Sequence, residues 1–376
     1  MATIGVGVIG CGYWGPNLIR NFARHDDATM VSVCDMQLDR AKKVAGWYGI
    51  PSVTDDPSAL INNPDVSLVV VATPAGSHYS LAKAALEAGK HVLIMKPMTT
   101  RSDQAEELID LAERKGVLLA VDHTFVYTSG VRMMREIVAA GELGDVFYLD
   151  SVRINLGVFQ SDVNVIWDLG PHDISIIDYV LGGQLPSEVS AITAAHAGSR
   201  HENIAYLTMR YGPSVLAHVH VNWLAPAKIR RTIVGGSNKM LVYDEMQPSE
   251  KLLIYDRGVT ISPWEDPEEI YSQLVSYRTG DVRAPRLDER EALATEVDEI
   301  LAAIGGGSPP VGDAALGLRT VQILEAAERS ARDGSRPVSL SRDAAAGTTA
   351  FTIAGDGNLN GNGNGHAALP ASATGE

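Results

Sequence analysis

The sequence is poor in cysteine, in positive charge and in long apolar runs. Its 376 residues include two cysteines, Cys11 and Cys34, which lack metal-ligand spacing, so we expect buried free thiols in a reducing compartment. The net charge of -15 argues against a nucleic-acid partner, because phosphate contacts need clustered lysine and arginine. No apolar run is long enough to cross a membrane and no signal-peptide pattern is present, so we expect a soluble, cytoplasmic protein.

The last part of the chain, residues 343–376, is rich in glycine and asparagine and is predicted to be a disordered tail. Its stretch DGNLNG resembles the start of a calcium-binding loop, but Ala367 occupies the position of the required acidic ligand. We therefore expect no metal site.

Two patterns divide the rest of the chain. Residues 1–125 alternate short apolar runs with amphipathic helical patterns, which predicts a doubly wound parallel sheet of the Rossmann type. Residues 126–342 contain long runs in which apolar and polar residues alternate, which is typical of an antiparallel sheet with one covered face. The predicted fold class is therefore α/β, with an N-terminal Rossmann domain and a C-terminal α+β domain that holds a large, mostly antiparallel open sheet.

A glycine-rich turn follows the first predicted strand. The sequence GCGYWG places Gly10, Gly12 and Gly15 in the spacing of a dinucleotide-binding turn, with Tyr13 and Trp14 between the last two. In such a turn the glycines allow a sharp bend, close approach of a pyrophosphate and close packing of helix on strand. The alternative is a plain tight turn in a sheet protein.

Asp35 ends the second predicted strand, twenty residues after Gly15. A carboxylate at this position can accept hydrogen bonds from the ribose hydroxyls of NAD and would repel the 2′-phosphate of NADP. Arg40 follows five residues later and would weaken that preference. The sequence thus favours NAD, with NADP less favoured; the alternative is that Asp35 is an ordinary surface carboxylate.

A further cofactor segment, ATPAGSHYS, follows the central strand. Thr73 and Pro74 fall at the carboxyl end of this strand, where doubly wound sheets open their ligand crevice. His78 is predicted to begin the next helix, where it either contacts the cofactor or has a structural role.

Lys96 stands at the end of the apolar strand HVLIM and is followed by Pro97. Alternation along the strand puts Val92, Ile94 and Lys96 on one face, so the ammonium group can lean into the crevice. There it can hydrogen-bond a substrate oxygen and stabilise an alkoxide. The alternative is a packed stem with its head in water.

The segment WDLGPHDISIIDYVLGG carries Asp168 and His172, four residues apart. Pro171 favours a helix that starts close to it, and both side chains would then project from one side. A helix N-terminus disfavours the imidazolium, so His172 is expected to be neutral and able to act as a base. The alternative is a capping aspartate with a core histidine.

Together these motifs, with MKPMT, resemble the Gfo/Idh/MocA family over residues 4–340, and especially its nucleotide-sugar dehydrogenases. The resemblance implies that Lys96, Asp168 and His172 are the catalytic set. It also implies a sugar or nucleotide-sugar substrate and a homo-oligomer, dimer or tetramer, formed through the second sheet. Arg153, Asn155 and Asn164 are the further substrate contacts that we expect from it.

The resemblance implies reversible oxidation of a secondary sugar hydroxyl, most simply C3 of a nucleotide-linked hexose. A free-sugar or cyclitol dehydrogenase and a non-catalytic NAD-binding sensor remain alternatives. One residue departs from the family pattern, since Met95 stands where the family usually has glutamate. Asp122 stands where a glycine is frequent, and the sequence offers no reason for it.

Overall fold

The structure is a computed structural model that describes residues 3–157, 160, 163–261 and 275–340. The predicted disordered tail lies outside these residues. Among the helices of the described residues, none is long and apolar enough to span a bilayer.

The first part of the chain forms a six-stranded, fully parallel sheet with the order β3-β2-β1-β4-β5-β6. The order reverses between β1 and β4, which opens a crevice at the carboxyl ends of these strands. The strands are β1 Ile4–Ile9, β2 Ala28–Cys34, β3 Ser52–Thr54, β4 Leu68–Val71, β5 His91–Met95 and β6 Leu119–Asp122.

Helices cover both faces of this sheet, as the alternating pattern predicts. Val92 and Ile94 of β5 pack in one core cluster, while Leu93 packs in the cluster on the opposite face, which confirms the predicted alternation. The strand β3 and the short helix after it were not predicted from the sequence. The helices are α1 Gly15–Ala23, α2 Leu38–Tyr48, α3 Pro57–Ile61, α4 His78–Glu87 and α5 Ser102–Lys115.

The second part of the chain forms a nine-stranded sheet with the order β16-β13-β12-β11-β7-β10-β9-β8-β17. Its pairs are antiparallel except for β7 and β10, which run parallel. These findings confirm the predicted fold class. The strands, with the separate pair β14 and β15, are β7 Val146–Leu156, β8 Glu188–Ala194, β9 Ile204–Tyr211, β10 Val215–Asn222, β11 Leu224–Gly236, β12 Met240–Asp244, β13 Leu252–Tyr255, β14 Gly258–Ile261, β15 Val275–Arg278, β16 Val282–Arg283 and β17 Val338–Ser339.

One face of this sheet is covered by helices and the other is open. Buried and exposed residues alternate along β9, and Ile192, Tyr206 and Leu216 are 61%, 44% and 40% exposed. The remaining helices are α6 Ser129–Ala139, α7 Val165–Leu181, α8 Ala292–Ile304 and α9 Ala314–Arg332. Of these, α8 packs against α1 of the first sheet, and α9 packs between α5 and α7.

The position of α7 corrects one prediction. The helix begins at Val165, where Asn164 accepts hydrogen bonds from the backbone N–H groups of Ile166 and Trp167, and Pro171 lies inside it. The prediction that the helix begins near Pro171 was wrong, because an asparagine cap competes well with proline as a start signal. Asp168 is consequently in the first turn and His172 in the second.

Candidate active site

A cavity of about 720 Å³ lies at the carboxyl ends of the parallel strands. It brings together most of the predicted cofactor residues and two of the three predicted catalytic residues. The predicted residues that line it are Gly10, Gly12, Tyr13, Trp14, Asp35, Arg40, Thr73, Pro74, Lys96 and Asp168.

The glycine turn has the shape that the spacing predicts. Gly10 has φ +104°, and a Cβ there would lie 2.3 Å from the backbone oxygen of Ala72. A Cβ on Gly15 would lie 2.0 Å from the oxygen of Gly10, so only glycine allows α1 to start this close to β1. At Gly12 a Cβ would meet no atom of the described chain within 4 Å, which leaves space for a pyrophosphate.

Asp35 is held firmly at the end of β2. Its Oδ2 accepts a hydrogen bond from the backbone N–H of Cys11 at 2.9 Å, and its Oδ1 accepts one from Gln37 at 2.8 Å. The guanidinium of Arg40 lies 3.5 Å from Oδ2. Each carboxylate oxygen has a second lone pair, so the group can still accept hydrogen bonds from a ribose.

His78 begins α4, as predicted, but it does not line the cavity. It is 1% exposed, and its ring nitrogens lie 2.7 Å from the backbone oxygen of Pro97 and 2.8 Å from that of Thr73. The histidine therefore joins the two loops that follow β4 and β5, which favours the structural alternative for this residue.

Asp122 acquires a physical explanation in the structure. Its Oδ2 accepts a hydrogen bond at 2.9 Å from the indole N–H of Trp14, so it anchors the glycine turn. Glu296 lies beside it and is fully buried. As a carboxylate, Glu296 has no hydrogen-bond partner among the described residues. Burial, and then the neighbouring Asp122, raise the pKa of Glu296 well above its usual range, so a protonated Glu296 can share its proton with Asp122.

Lys96 meets Asp168 across the crevice. Its ammonium group donates to the main-chain oxygen of Asp168 and lies 3.3 Å from the carboxylate Oδ1, with 15% of the lysine side chain exposed. The other carboxylate oxygen accepts a hydrogen bond at 3.0 Å from the indole N–H of Trp223, a residue between β10 and β11. Asp168 therefore fixes the ammonium group at the end of β5.

His172 lies one helical turn after Asp168 and is part-buried, outside the set that lines the cavity. Phe125 packs edge-on against its ring, with centroids 4.8 Å apart. Burial lowers the pKa of His172 well below its usual value, and the cations Lys96, Arg153 and Arg230 lower it further. The imidazole is thus neutral at neutral pH as expected, but for these reasons more than for a helix terminus.

The three further substrate contacts occupy different places. Arg153 is 3% exposed and donates a hydrogen bond to Asp173 at 2.7 Å, so its guanidinium is held in the protein interior. Asn164 caps α7 and donates to Glu202, next to a second cavity. Asn155 is part-buried on β7 and does not line the main cavity.

We name two groups of residues at the crevice after the roles predicted for them. The cofactor wall is Gly10, Gly12, Trp14, Asp35 and Thr73, which line the cavity. The catalytic wall is Lys96 and Asp168, which line the cavity, together with His172 and Trp223, which lie behind them.

Several residues at the site were not predicted from the sequence, because nothing adjacent to them in the chain marks them. Trp223 and Phe125 reach the catalytic wall through tertiary packing alone. Met36 and Gln160 also line the cavity, and so does Met95, at which the sequence departs from the family pattern. Met95, which stands where the family usually has glutamate, thus exposes a thioether to the crevice in place of a carboxylate.

Comparison with known families agrees with this geometry. Residues 4–123 match the oxidoreductase family with an NAD-binding Rossmann fold, and residues 131–242 match the GFO/IDH/MocA C-terminal domain. An uncharacterized oxidoreductase of Escherichia coli (strain K12) is 31% identical over 264 residues, which are 67% of this chain and 74% of that protein. The chain belongs to the Gfo/Idh/MocA family. It is an oxidoreductase with an NAD-binding domain, which confirms the predictions of family, enzyme class and cofactor.

Two further relatives are similar over most of their length. A scyllo-inositol 2-dehydrogenase (NADP(+)) of Bacillus subtilis (strain 168) is 25% identical, and the match covers 88% of this chain and 94% of that enzyme. The solved structure of UDP-N-acetylglucosamine 3-dehydrogenase from Acidithiobacillus ferrooxidans is 26% identical with a TM-score of 0.73, and the match covers 88% of this chain and 98% of that one.

The cofactor wall fits NAD. The open space at Gly12 can receive the pyrophosphate, and the fixed carboxylate of Asp35 can receive a ribose.

Proposed function

We propose that this oxidoreductase interconverts a secondary hydroxyl and a ketone on a sugar, at C3 of a nucleotide-linked hexose. The observation that carries the proposal is the contact of Lys96 with Asp168 beside the cofactor wall, with neutral His172 one helical turn away. The similarity to a UDP-N-acetylglucosamine 3-dehydrogenase supports the substrate class.

In the oxidative direction a neutral His172 takes the proton of the substrate hydroxyl. Nicotinamide, when bound, supplies the chemistry that accepts a hydride from the same carbon. The ammonium group of Lys96, held by Asp168, stabilises the negative charge that develops on the oxygen. In the reductive direction one of these two groups returns a proton to the new hydroxyl. Positioned acid–base groups of this kind typically contribute about 10²–10⁴-fold to the rate.

A second cavity supports a substrate that extends beyond a single sugar ring. It has a volume of about 510 Å³ and shares Val163 and Trp167 with the main cavity. Arg200 is exposed at its edge, and Arg332 there is paired with Glu328 at 2.6 Å. These guanidinium groups suit the phosphates of a nucleotide-linked sugar.

A free cyclitol is the second candidate substrate, favoured by the similarity to scyllo-inositol 2-dehydrogenase. The catalytic wall would serve it equally well. Such a substrate has no phosphates, so it would not need the second cavity.

We also propose a homo-oligomer, dimer or tetramer, that associates through the open face of the second sheet. The exposed apolar residues Ile192, Tyr206 and Leu216 on this face support it. Leu216→Glu should lower the mass of the particle measured by light scattering, whereas an unchanged mass would argue against this face.

A substrate panel tests the proposed function. UDP- and dTDP-hexoses, inositol and glucose are each mixed with NAD, and NADH formation is followed at 340 nm. We expect turnover with a nucleotide-linked hexose, and a higher KM for it in Arg200→Ala with no change for a free polyol. Turnover of inositol alone would favour the cyclitol, and NAD(H) binding without any turnover would favour a sensor.

A further inference from the structure

His123 is a buried histidine to which the proposed reaction assigns no role. It is 1% exposed, and neither ring nitrogen has a hydrogen-bond partner among the described residues. An unpaired buried polar group destabilises the fold, because it loses its hydrogen bonds to water and gains none in return. Such a group therefore calls for an explanation, such as an ordered water or a role in catalysis.

The fold places His123 at the catalytic wall. In the parallel pair of β5 and β6, Met95 is the register partner of Asp122, so Lys96 and His123 follow at the same edge of the sheet. Two residues later, Phe125 packs edge-on against the ring of His172. His123 thus lies at the same edge of the sheet as Lys96, and two residues before the ring that packs against His172.

The charges around His123 keep it neutral. Burial lowers its pKa to about 3, assisted by Lys96 and by Arg319 of α9. A neutral imidazole has one N–H donor and one nitrogen that accepts. His123 can therefore accept a hydrogen bond at neutral pH.

His172 needs such an acceptor. Its Nδ1 is enclosed by the protein and has no hydrogen-bond partner among the described residues. The part of the ring that a substrate can reach therefore excludes Nδ1. A histidine that takes a proton at Nε2 carries its own proton on Nδ1, and a partner on Nδ1 fixes this tautomer and the ring orientation.

We propose that His123 is a positioning residue, which accepts the Nδ1–H of His172 through one buried water. A buried water typically makes about three hydrogen bonds, and the enclosed nitrogens of the two histidines offer it partners. The inference rests on the proposed role of His172 as the base. It adds the group that holds that base in its working tautomer.

Kinetics of His123 variants test the proposal. His123→Phe keeps the volume and removes the acceptor, whereas His123→Gln keeps an acceptor. We expect His123→Phe to lower kcat about tenfold or more with an unchanged KM for NAD, and His123→Gln to recover most of the loss. Equal kcat in wild type and His123→Phe would overturn the proposal.

The pH profile separates positioning from a general structural effect. The cations that face His172 are Lys96, Arg153 and Arg230, and they are unchanged in these variants; His123, which is neutral at this pH, is the one titratable group beside His172 that the variants replace. An acceptor on Nδ1–H stabilises the imidazolium, so its loss lowers the pKa of His172 further. The acid limb of kcat should therefore move to lower pH in His123→Phe and stay in place in His123→Gln. A lower kcat with an unmoved limb would contradict the proposal.

Two further measurements keep the outcomes distinct. If His172→Ala retains near-normal turnover, the proposed function loses its base; if His172→Ala is inactive and His123→Phe is normal, only the positioning role fails. A high-resolution crystal structure of the wild type, which does not depend on any variant folding, should show a water within hydrogen-bond distance of His172 Nδ1 and a ring nitrogen of His123. Its absence would overturn the proposal.

Discussion

The two walls of the crevice are built in different ways. The cofactor wall comes from turns that directly follow β1, β2 and β4, and its essential groups are backbone, glycines and one carboxylate. The catalytic wall joins the end of β5 to the first two turns of α7 and to Trp223. Three turns of one sheet, each directly after a strand, thus form the cofactor wall, while packing between distant segments assembles the catalytic wall. Substitutions in the first should change cofactor binding, and substitutions in the second should change turnover.

The largest effect is expected on the catalytic wall. Lys96→Ala and His172→Ala should each lower kcat at least about a hundredfold, because each removes a group that we propose to contact the reacting oxygen. The dissociation constant for NAD should change little. Lys42→Ala and His196→Ala, at exposed positions, are matched controls. Near-normal turnover in both active-site variants would remove the assignment.

The cofactor wall should give the complementary result. Asp35→Ala removes the carboxylate that fixes the turn and that we propose to bind the ribose, so the KM for NAD should rise about ten- to hundredfold with a much smaller change in kcat. Asp39→Ala, at a fully exposed position, is the control. If Asp35→Ala lowered kcat and left the KM for NAD unchanged, the two walls would not have separate roles in cofactor binding and turnover.

A subtler change tests how Asp168 is held. Trp223→Phe keeps an aromatic ring and loses the indole N–H that binds the carboxylate of Asp168. A hydrogen bond to a charged group contributes about 1.5–3 kcal/mol, so kcat should fall about tenfold while the KM for NAD is unchanged. Trp47→Phe, which is 57% exposed in the wild type, should behave as wild type. Equal kcat in both variants would show that the hydrogen bond does not position Asp168.

The smallest effect is expected behind the cofactor wall, at Glu296, and concerns stability. The pKa of Glu296 is raised by burial and by Asp122, so the folded protein keeps a proton that the unfolded chain releases above about pH 4.5. The free energy of unfolding therefore falls as pH rises through this window, and glutamine cannot ionise. Glu296→Gln should have a higher Tm than wild type at pH 8 by a few degrees and a similar Tm at pH 4.

Glu289→Gln, at an exposed position, is the control for that measurement. A Tm difference independent of pH would mean that Glu296 does not carry the extra proton.

The residues that could be predicted from the sequence lie mainly on the cofactor wall. Gly10, Gly12, Asp35 and Thr73 could be found because strand ends and glycine spacing mark them locally, and the structure gathers them around one cavity. Lys96 could be placed through the alternation of a single strand.

The catalytic partners were harder to place. The start of α7 was predicted too late, because Pro171 is a start signal and the cap at Asn164 outweighs it. Trp223 and His123 carry no local signal, since their importance comes from contacts between segments far apart in the chain. The reason for Asp122 became visible only when the indole of Trp14 lay against it.

A crystal structure of the complex with NAD and a sugar substrate from the panel tests the central claim most directly. We predict that the hydroxyl on the reacting carbon lies within about 2.6–3.2 Å of both the ammonium group of Lys96 and a ring nitrogen of His172. A substrate bound productively beside the nicotinamide, with its hydroxyl in contact with neither group, would contradict the account.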